Sequence, residues 1–207
     1  MAALGYTKPG CRIVSGSILL SGRELITSSE SSLREIRGNS VSYVAQSAAA
    51  AFNPAHRLIE QFTESPVQHG KMNRDDAVIR GHELYRQLEL PDPGLIGDRY
   101  PHQVSGGQLQ RAMTAMAMGC DPEIIVFDEP TTALDVTTQI EVLSVIKESV
   151  RAKGVAAIYI THDLAVVAQI ADRIFVLRYG DLIEEGDARE LLANPKKDYT
   201  RTVSNTH

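Results

Sequence analysis

Two short apolar runs constrain the fold of this chain more than any other feature of the sequence. One runs unbroken from Ile124 to Phe127, and the second runs from Ala156 to Thr161. Such runs are typical of strands that are buried on both faces of a parallel sheet. A helix predicted from about Thr137 to Lys153, ended by Gly154, connects them. The order strand, helix, strand therefore predicts an α/β fold with a mostly parallel core.

The rest of the chain alternates short strands with helices around one helical insertion. Residues 47–103 form this insertion, with polar helical stretches at about 55–69 and 74–90. The periodicity and turn signals predict the remaining elements. These are short strands within 13–26, a helix at 29–37, a strand at 41–45 followed by Gln46, helices at 106–118 and 164–171, and a hairpin of 173–178 with 181–185.

Composition excludes several classes of protein and leaves the chemistry open. The 207 residues are 43% hydrophobic and 23% charged, which is an ordinary globular mixture. The net charge of −5 argues against non-specific nucleic-acid binding, which needs a basic face. Two cysteines, Cys11 and Cys120, cannot form a disulfide framework. No apolar run approaches the roughly 20 residues of a membrane helix. We therefore expect a soluble intracellular protein.

The segment from Ser105 to Gln108 begins the helix predicted at 106–118 and is a candidate anion site. Two glycines, Gly106 and Gly107, let a backbone approach a ligand closely. The free N–H groups and the positive end of the helix dipole favour an anion. Ser105 can cap the helix and also donate its hydroxyl to a phosphate oxygen. Taken alone, such a segment is more often an N-capped helix with a flexible start.

Two carboxylates, Asp128 and Glu129, follow the first apolar run directly. The carboxyl ends of parallel strands are where α/β proteins bind ligands. One carboxylate can hold Mg²⁺, and the next can polarise a water molecule for in-line attack on phosphorus. The alternative is a charged strand end that turns into solvent. His162 follows the second run, and a lone histidine there is usually a surface residue.

Together these residues resemble the nucleotide-binding domain of ABC transporters over essentially the whole chain. Five motifs stand in the family's order. They are Gln46 (Q-loop), Ser105–Gln108 (signature), Ile124–Asp128 (Walker B) with the catalytic Glu129, Ala133–Asp135 (D-loop) and His162 (switch histidine). The resemblance implies a P-loop NTPase (ABC ATPase) fold with a helical subdomain. Stretches such as Phe52-Asn53-Pro54 and Asp198 to Arg201 are similar to the oligopeptide, dipeptide and nickel importers.

The resemblance also implies a role for each site residue. Gln46 and Asp128 help to hold Mg²⁺ on the chain's own ATP, Glu129 orients or activates water, and His162 contacts the γ-phosphate. In this family two domains meet head to tail. The signature segment Ser105–Gln108 therefore contacts the ATP of the partner domain, and Asp135 links the two sites.

The resemblance further implies the domain division and the partners. Residues 1–46 and 104–190 form the RecA-like core, and 191–207 form a C-terminal tail. Residues 47–103 form the helical subdomain that contacts the transmembrane permease subunits. The expected function is to couple ATP hydrolysis to uptake of peptides or similar solutes at the cytoplasmic face of the inner membrane. A periplasmic solute-binding protein completes the system, and no nucleic-acid partner is expected.

One element of the family pattern is missing from the sequence. The P-loop, Gly-x4-Gly-Lys-Ser/Thr, cradles the phosphates, and the only Gly-Lys here is Gly70-Lys71, followed by Met72. We therefore expect the chain to begin inside or just past the P-loop helix and to lack the P-loop strand. We also expect the isolated chain to bind ATP weakly or not at all and to be marginally stable. Whether the chain itself hydrolyses ATP is left open.

Three alternatives stay open. The chain could be a truncated, non-catalytic partner that lends Ser105–Gln108 to an intact domain, or a relic without function. It could also be a soluble ABC ATPase of DNA repair or translation. The charge of −5 and the absence of a long coiled-coil insertion in residues 47–103 argue against this last class.

Overall fold

The computed structural model describes residues 4–7, 10–131 and 134–204. Within these residues the chain forms seven strands, nine α-helices and two short 3₁₀-helices, Ile96–Asp98 and Pro101–Gln103. The strands are Leu19–Leu20 (β1), Arg23–Glu24 (β2), Val41–Val44 (β3), Ile124–Asp128 (β4), Ala156–Ile160 (β5), Arg173–Arg178 (β6) and Asp181–Asp187 (β7). The helices are Glu30–Ile36 (α1), Ala48–Ala51 (α2), Leu58–Gln68 (α3), Arg74–Gln87 (α4), Gly106–Met118 (α5), Val136–Lys153 (α6), Leu164–Ile170 (α7), Ala188–Ala193 (α8) and Asp198–Ser204 (α9).

The centre of the fold is a sheet of three parallel strands in the order β3-β4-β5. Val44 pairs with Phe127, and Asp128 pairs with Ile160. The carboxyl ends of the three strands therefore meet at one edge of the sheet. Strand β4 lies in the middle, where Ile125 and Phe127 are fully buried. An unbroken apolar sequence suits this position because both faces of a central parallel strand are covered.

The main core joins the sheet to the helical insertion. Phe127 packs in one cluster with Met113 of α5 and Ile146 of α6. The same cluster extends to Phe62 of α3 and Tyr85 of α4, whose rings meet edge to face at 5.9 Å. Helices α3 and α4 are thus held to the sheet by shared apolar burial, the largest favourable contribution to folding.

A smaller cluster covers the other side of β3. Val41 packs there against Leu25, next to the β1–β2 hairpin, and Leu33 of α1. Helix α1 begins as the sequence predicted, because the Ser29 hydroxyl accepts a hydrogen bond from the N–H of Ser32. The strands expected within residues 13–26 are real but short, since β1 and β2 have two residues each.

Strand β5 is present as predicted, but the prediction that it is buried is wrong. Four of its five residues are exposed, including Ile158 and Ile160. It is the last strand of the three-stranded sheet among the described residues. A cavity of about 820 Å³ lies between β5 and β6. An apolar sequence gives the hydrophobicity of a strand, but not which of its sides other elements cover.

The antiparallel hairpin β6–β7 follows the sheet and was predicted from the sequence. Its buried residue Ile174 packs with Ala188 and Leu191 of α8. Helix α8 (Ala188–Ala193) includes residue 190, which is the predicted boundary between the core and the C-terminal tail. The proposed division into core, helical subdomain and tail stays a prediction. No helix in the described part of the chain combines the length and the apolar character needed to cross a membrane.

Candidate functional site

Four predicted site residues lie at the carboxyl edge of the central sheet. We call Gln46, Asp128, Glu129 and His162 the edge cluster. Gln46 follows β3 by two residues, Asp128 ends β4, and His162 follows β5 by two residues. The Glu129 N–H donates to the carbonyl oxygen of Ile160 at 2.8 Å, which continues the β4–β5 pairing past the last strand residue. The parallel register is therefore what brings these side chains together.

The Glu129 carboxylate is the centre of the edge cluster. Its Oε2 accepts a hydrogen bond from Nε2 of Gln46 at 3.0 Å, and its Oε1 lies 3.0 Å from Nδ1 of His162. The Glu129 side chain is 27% exposed, whereas that of His162 is 70% exposed. Neighbours from both sides of β4 thus orient one carboxylate that solvent can still reach.

The backbone of Glu129 is also unusual. Its φ is +47°, in the left-handed region that L-residues rarely adopt. A conformation of this kind costs of order 1–3 kcal/mol and tends to occur at functional sites. It turns the chain sharply after β4, so that Asp128 and Glu129 present their carboxylates at the same edge.

Tyr43 holds the other carboxylate and was missed by the sequence analysis. Its hydroxyl donates to Oδ2 of Asp128 at 2.6 Å. Burial, and then the neighbouring Asp128, raise the pKa of Tyr43 to about 12. The signal was in the register: Tyr43 pairs with Val126, so it lies on the same face as Asp128, two residues further along.

If Asp128 binds Mg²⁺ during ATP hydrolysis, as the family resemblance implies, Tyr43→Phe is expected to raise the Mg²⁺ concentration needed for half-maximal hydrolysis severalfold, with kcat changed less. The substitution removes the hydroxyl that fixes Oδ2 of Asp128. Because the pKa of Tyr43 is raised to about 12, the hydroxyl keeps its proton at neutral pH, and the effect is expected to be constant from about pH 6 to 9. Magnesium titrations of both proteins across this range measure it. An effect that disappears toward pH 9 would contradict this explanation.

The donor atoms at this edge suit Mg²⁺ with a nucleotide. Mg²⁺ is usually bound through one or two carboxylates, with substrate phosphates and water supplying the other oxygens. Asp128 offers a carboxylate oxygen, and the Gln46 amide has an oxygen besides the nitrogen it uses on Glu129. The described residues contain no group of three or more His, Cys, Asp or Glu that could hold a metal unaided. One carboxylate and one amide oxygen match the few protein ligands that Mg²⁺ uses when phosphate and water supply the others.

The signature segment starts α5 with a reciprocal pair of hydrogen bonds. The Ser105 Oγ accepts from the Gln108 N–H at 3.3 Å, and Oε1 of Gln108 accepts from the Ser105 N–H at 3.0 Å. This capping box satisfies one of the first N–H groups of the helix and leaves others for a ligand. Since Ser105 Oγ accepts here, its own proton remains for donation to an anion.

The two glycines of the signature segment are also packing residues. A Cβ on Gly107 would lie 2.6 Å from Cγ2 of Thr138, and one on Gly106 would lie 3.3 Å from Cδ2 of Leu134. From the sequence alone, both glycines are explained by the close approach of a ligand. The structure adds a second reason at Gly107, which is buried against α6.

Asp135 caps α6. Its carboxylate accepts from the Thr138 N–H at 3.0 Å and from the Thr138 hydroxyl at 2.8 Å. These two bonds lower the pKa of Asp135. Ala133, which was predicted to begin the same motif, lies outside the described residues. The structure thus groups the predicted site residues in two sets, the edge cluster and the α5 start with Asp135.

The comparisons with known proteins all indicate the same family. The family profile described as "ABC transporter" matches residues 4–132. A probable peptide ABC transporter ATP-binding protein, y4tR of Sinorhizobium fredii, is 38% identical over 96% of this chain and 59% of its own length. The oligopeptide transport ATP-binding protein OppD of Lactococcus lactis is 39% identical over 98% of this chain and 60% of its own length. The dipeptide transport ATP-binding protein DppD of Bacillus subtilis is 40% identical over 96% of this chain and 59% of its own length.

The chain thus spans about three fifths of the length of these relatives. Among solved structures, the dimeric ATP-binding cassette MJ0796 is similar to it. In a post-hydrolysis state bound to ADP and Pi, the cassette matches with a TM-score of 0.74 and 25% identity, over 86% of this chain and 76% of the cassette. A second dimeric structure of MJ0796 matches equally well, at 26% identity.

Proposed function

The chain belongs to the ABC transporter family, and from that premise we propose that it is the ATP-binding subunit of an importer that takes up peptides or similar solutes. The predicted α/β fold of an ABC ATPase is confirmed by the parallel sheet and by the similarity to solved cassettes. ATP binding is the property common to this family. The solute, the partners and the location are parts of the proposal.

The observation that carries the proposal is the arrangement around Glu129. One carboxylate is held by Gln46 on one side and His162 on the other, beside a second carboxylate at Asp128. In-line attack on phosphorus needs a group that orients water, a metal ligand and a donor near the transferred phosphoryl group. Glu129, Asp128 and His162 supply these three.

Each residue of the edge cluster has a defined task in hydrolysis. Asp128, whose carboxylate accepts a hydrogen bond from the Tyr43 hydroxyl, would hold Mg²⁺ together with the Gln46 amide oxygen, and the metal would supply charge neutralisation at the phosphate oxygens. Glu129 accepts a proton from the attacking water or fixes its direction. His162 donates to the oxygens of the γ-phosphate. The hydrogen bonds of Glu129 to Gln46 and His162 keep its carboxylate in place before a nucleotide arrives.

The α5 start serves a second nucleotide. The free N–H groups of its first turn and the Ser105 hydroxyl suit the γ-phosphate of an ATP held by a second ABC domain. The dimeric state of MJ0796 supports pairing with a second domain, and the head-to-tail arrangement is what the family resemblance implies. Asp135, which caps the neighbouring helix α6, lies beside this start and connects the two sites.

The helical insertion is the surface we assign to the permease. A groove of about 700 Å³ runs along α3, lined by Asn53, His56, Glu60, Glu64 and Arg74 among others. The Gln61 side chain holds one wall rigid, because it bonds to the backbone of Asn53 and His56. The permease places the subunit at the cytoplasmic face of the inner membrane, and a periplasmic binding protein delivers the solute.

The test is ATP-driven uptake by membrane vesicles that contain the chain with its permease and a second ABC domain, supplied with the solute-binding protein. Radiolabelled trialanine is expected to accumulate with ATP, but not with a non-hydrolysable ATP analogue. Free alanine is the matched control, because it has the same side chain and charged termini but no peptide bond. Accumulation that does not depend on hydrolysable ATP would contradict the proposed activity. Equal accumulation of trialanine and alanine would contradict the proposed solute.

A further inference from the structure

Thr138 contacts both Asp135 and the signature segment through different atoms of one side chain. Its hydroxyl donates to Oδ2 of Asp135 at 2.8 Å, while its N–H donates to Oδ1 at 3.0 Å. The hydroxyl bond fixes χ1 of a β-branched side chain that already has restricted freedom, and the N–H bond holds the backbone of Thr138 beside the same carboxylate. The methyl group of Thr138 therefore points in a fixed direction.

That methyl group faces Gly107. A Cβ on Gly107 would lie 2.6 Å from Cγ2 of Thr138 and 3.6 Å from Cγ2 of Val142. A separation of 2.6 Å is well below the usual 3.5–4.0 Å between carbon atoms in contact. The first turn of α5 therefore rests on α6 at a distance that only glycine allows.

We infer that Thr138 is a positioning residue that sets the α5 start at a fixed distance from Asp135. The hydroxyl of Thr138 is hydrogen-bonded to the Asp135 carboxylate, and its methyl group packs against Gly107. The consequence for catalysis rests on the proposed function, in which Ser105 and Asp135 both face a second domain. Thr138 then makes these two contact points one rigid unit.

The competing explanation is that Gly107 is required only because a ligand must approach its backbone. In that case the size of residue 138 has no influence on a substitution at Gly107. If Thr138 seats Gly107, a smaller side chain at 138 makes room for a larger one at 107. The two explanations therefore differ in whether changes at these positions compensate each other.

The test is amide hydrogen exchange of the chain carrying Gly107→Ala, Thr138→Ser or both, without nucleotide. Gly107→Ala is expected to speed exchange of the Leu109 N–H, which bonds to the Ser105 carbonyl oxygen, at least about tenfold. Thr138→Ser removes only Cγ2 and keeps the hydroxyl on Asp135. The double variant is expected to exchange within about threefold of the unaltered chain.

Thr137→Ser is the matched control, because Thr137 is exposed one residue away. Combined with Gly107→Ala, it is expected to give no rescue. If Thr138→Ser also gives none, the inference is overturned. Should Gly107→Ala fail to fold, Thr138→Val gives a second test, since it keeps the methyl group that faces Gly107 and replaces the hydroxyl by a second methyl, which removes the side-chain bond to Asp135. It is expected to speed exchange at Gln108 and Leu109 but not in β4, and equal exchange in both places would overturn the inference.

These measurements need neither ATP nor a partner. A failed rescue therefore counts against the role of Thr138 alone, whereas absent uptake in vesicles counts against the proposed function alone.

Discussion

Glu129→Gln is expected to lower ATP hydrolysis by the complex at least about 100-fold, the lower end of what a positioned general base contributes. The amide has nearly the same shape as the carboxylate, so the neighbours Gln46 and His162 can stay in place. It cannot accept a proton from water. Because ATP is held through its phosphates and metal, nucleotide binding is expected to stay within a few fold of the unaltered complex. Phosphate release and equilibrium binding measure the two effects separately.

Glu148→Gln is the matched control for this substitution. Glu148 is exposed on α6, away from the edge cluster, and replacing it by Gln removes the same single negative charge. Its hydrolysis rate is expected to equal that of the unaltered complex. If Glu129→Gln retained more than a tenth of the activity, Glu129 would not be the residue that activates water.

Phe127→Ala is expected to lower the free energy of unfolding by about 3–5 kcal/mol, as truncation of a buried aromatic does. Phe127 is fully buried and stacks on Tyr159 with ring centroids 4.5 Å apart. A typical domain has a total stability of about 5–15 kcal/mol, so this loss takes a large share of it. Urea unfolding followed by circular dichroism gives the difference.

Phe175→Ala is the control, because Phe175 is 56% exposed on β6. We expect its cost to stay below about 1 kcal/mol, as for most exposed positions. Similar losses from both substitutions would contradict the claim that β4 is the centre of the core. Phe127 directly precedes Asp128 and Glu129, so its loss is also expected to disturb the site more than the loss of Phe175.

The sequence predicted the elements of the fold better than their surroundings. Helix α5 has the predicted bounds, and the strand ending in Asp128 and the β6–β7 hairpin were found within two residues. Periodicity and capping are local, so they can be recognised without the fold. The burial of β5 was mispredicted, because it depends on which elements lie beside the strand. The short helix α2 was not predicted within its insertion.

In the candidate site, too, some residues could be identified from the sequence and others only from the structure. The resemblance to the ABC transporter family identified Gln46, Glu129 and His162, and the parallel register explains why they meet. Tyr43 and Thr138 could not be recognised by motif, since each acts through contact with a residue far away in sequence or on another helix. The register β3–β4 was the one signal for Tyr43. Nothing in the sequence indicated that Thr138 lies against Gly107.

The identity of the nucleotide retained by the complex tests the central claim most directly. The claim is that Glu129 of this chain activates the water in ATP hydrolysis by the complex. When only this chain carries Glu129→Gln, the complex is expected to retain ATP after incubation with Mg-ATP and rapid washing. If it instead retained ADP to the same extent as the unaltered complex, hydrolysis would take place without Glu129. The chain would then be a non-catalytic partner that only lends Ser105–Gln108 to another domain.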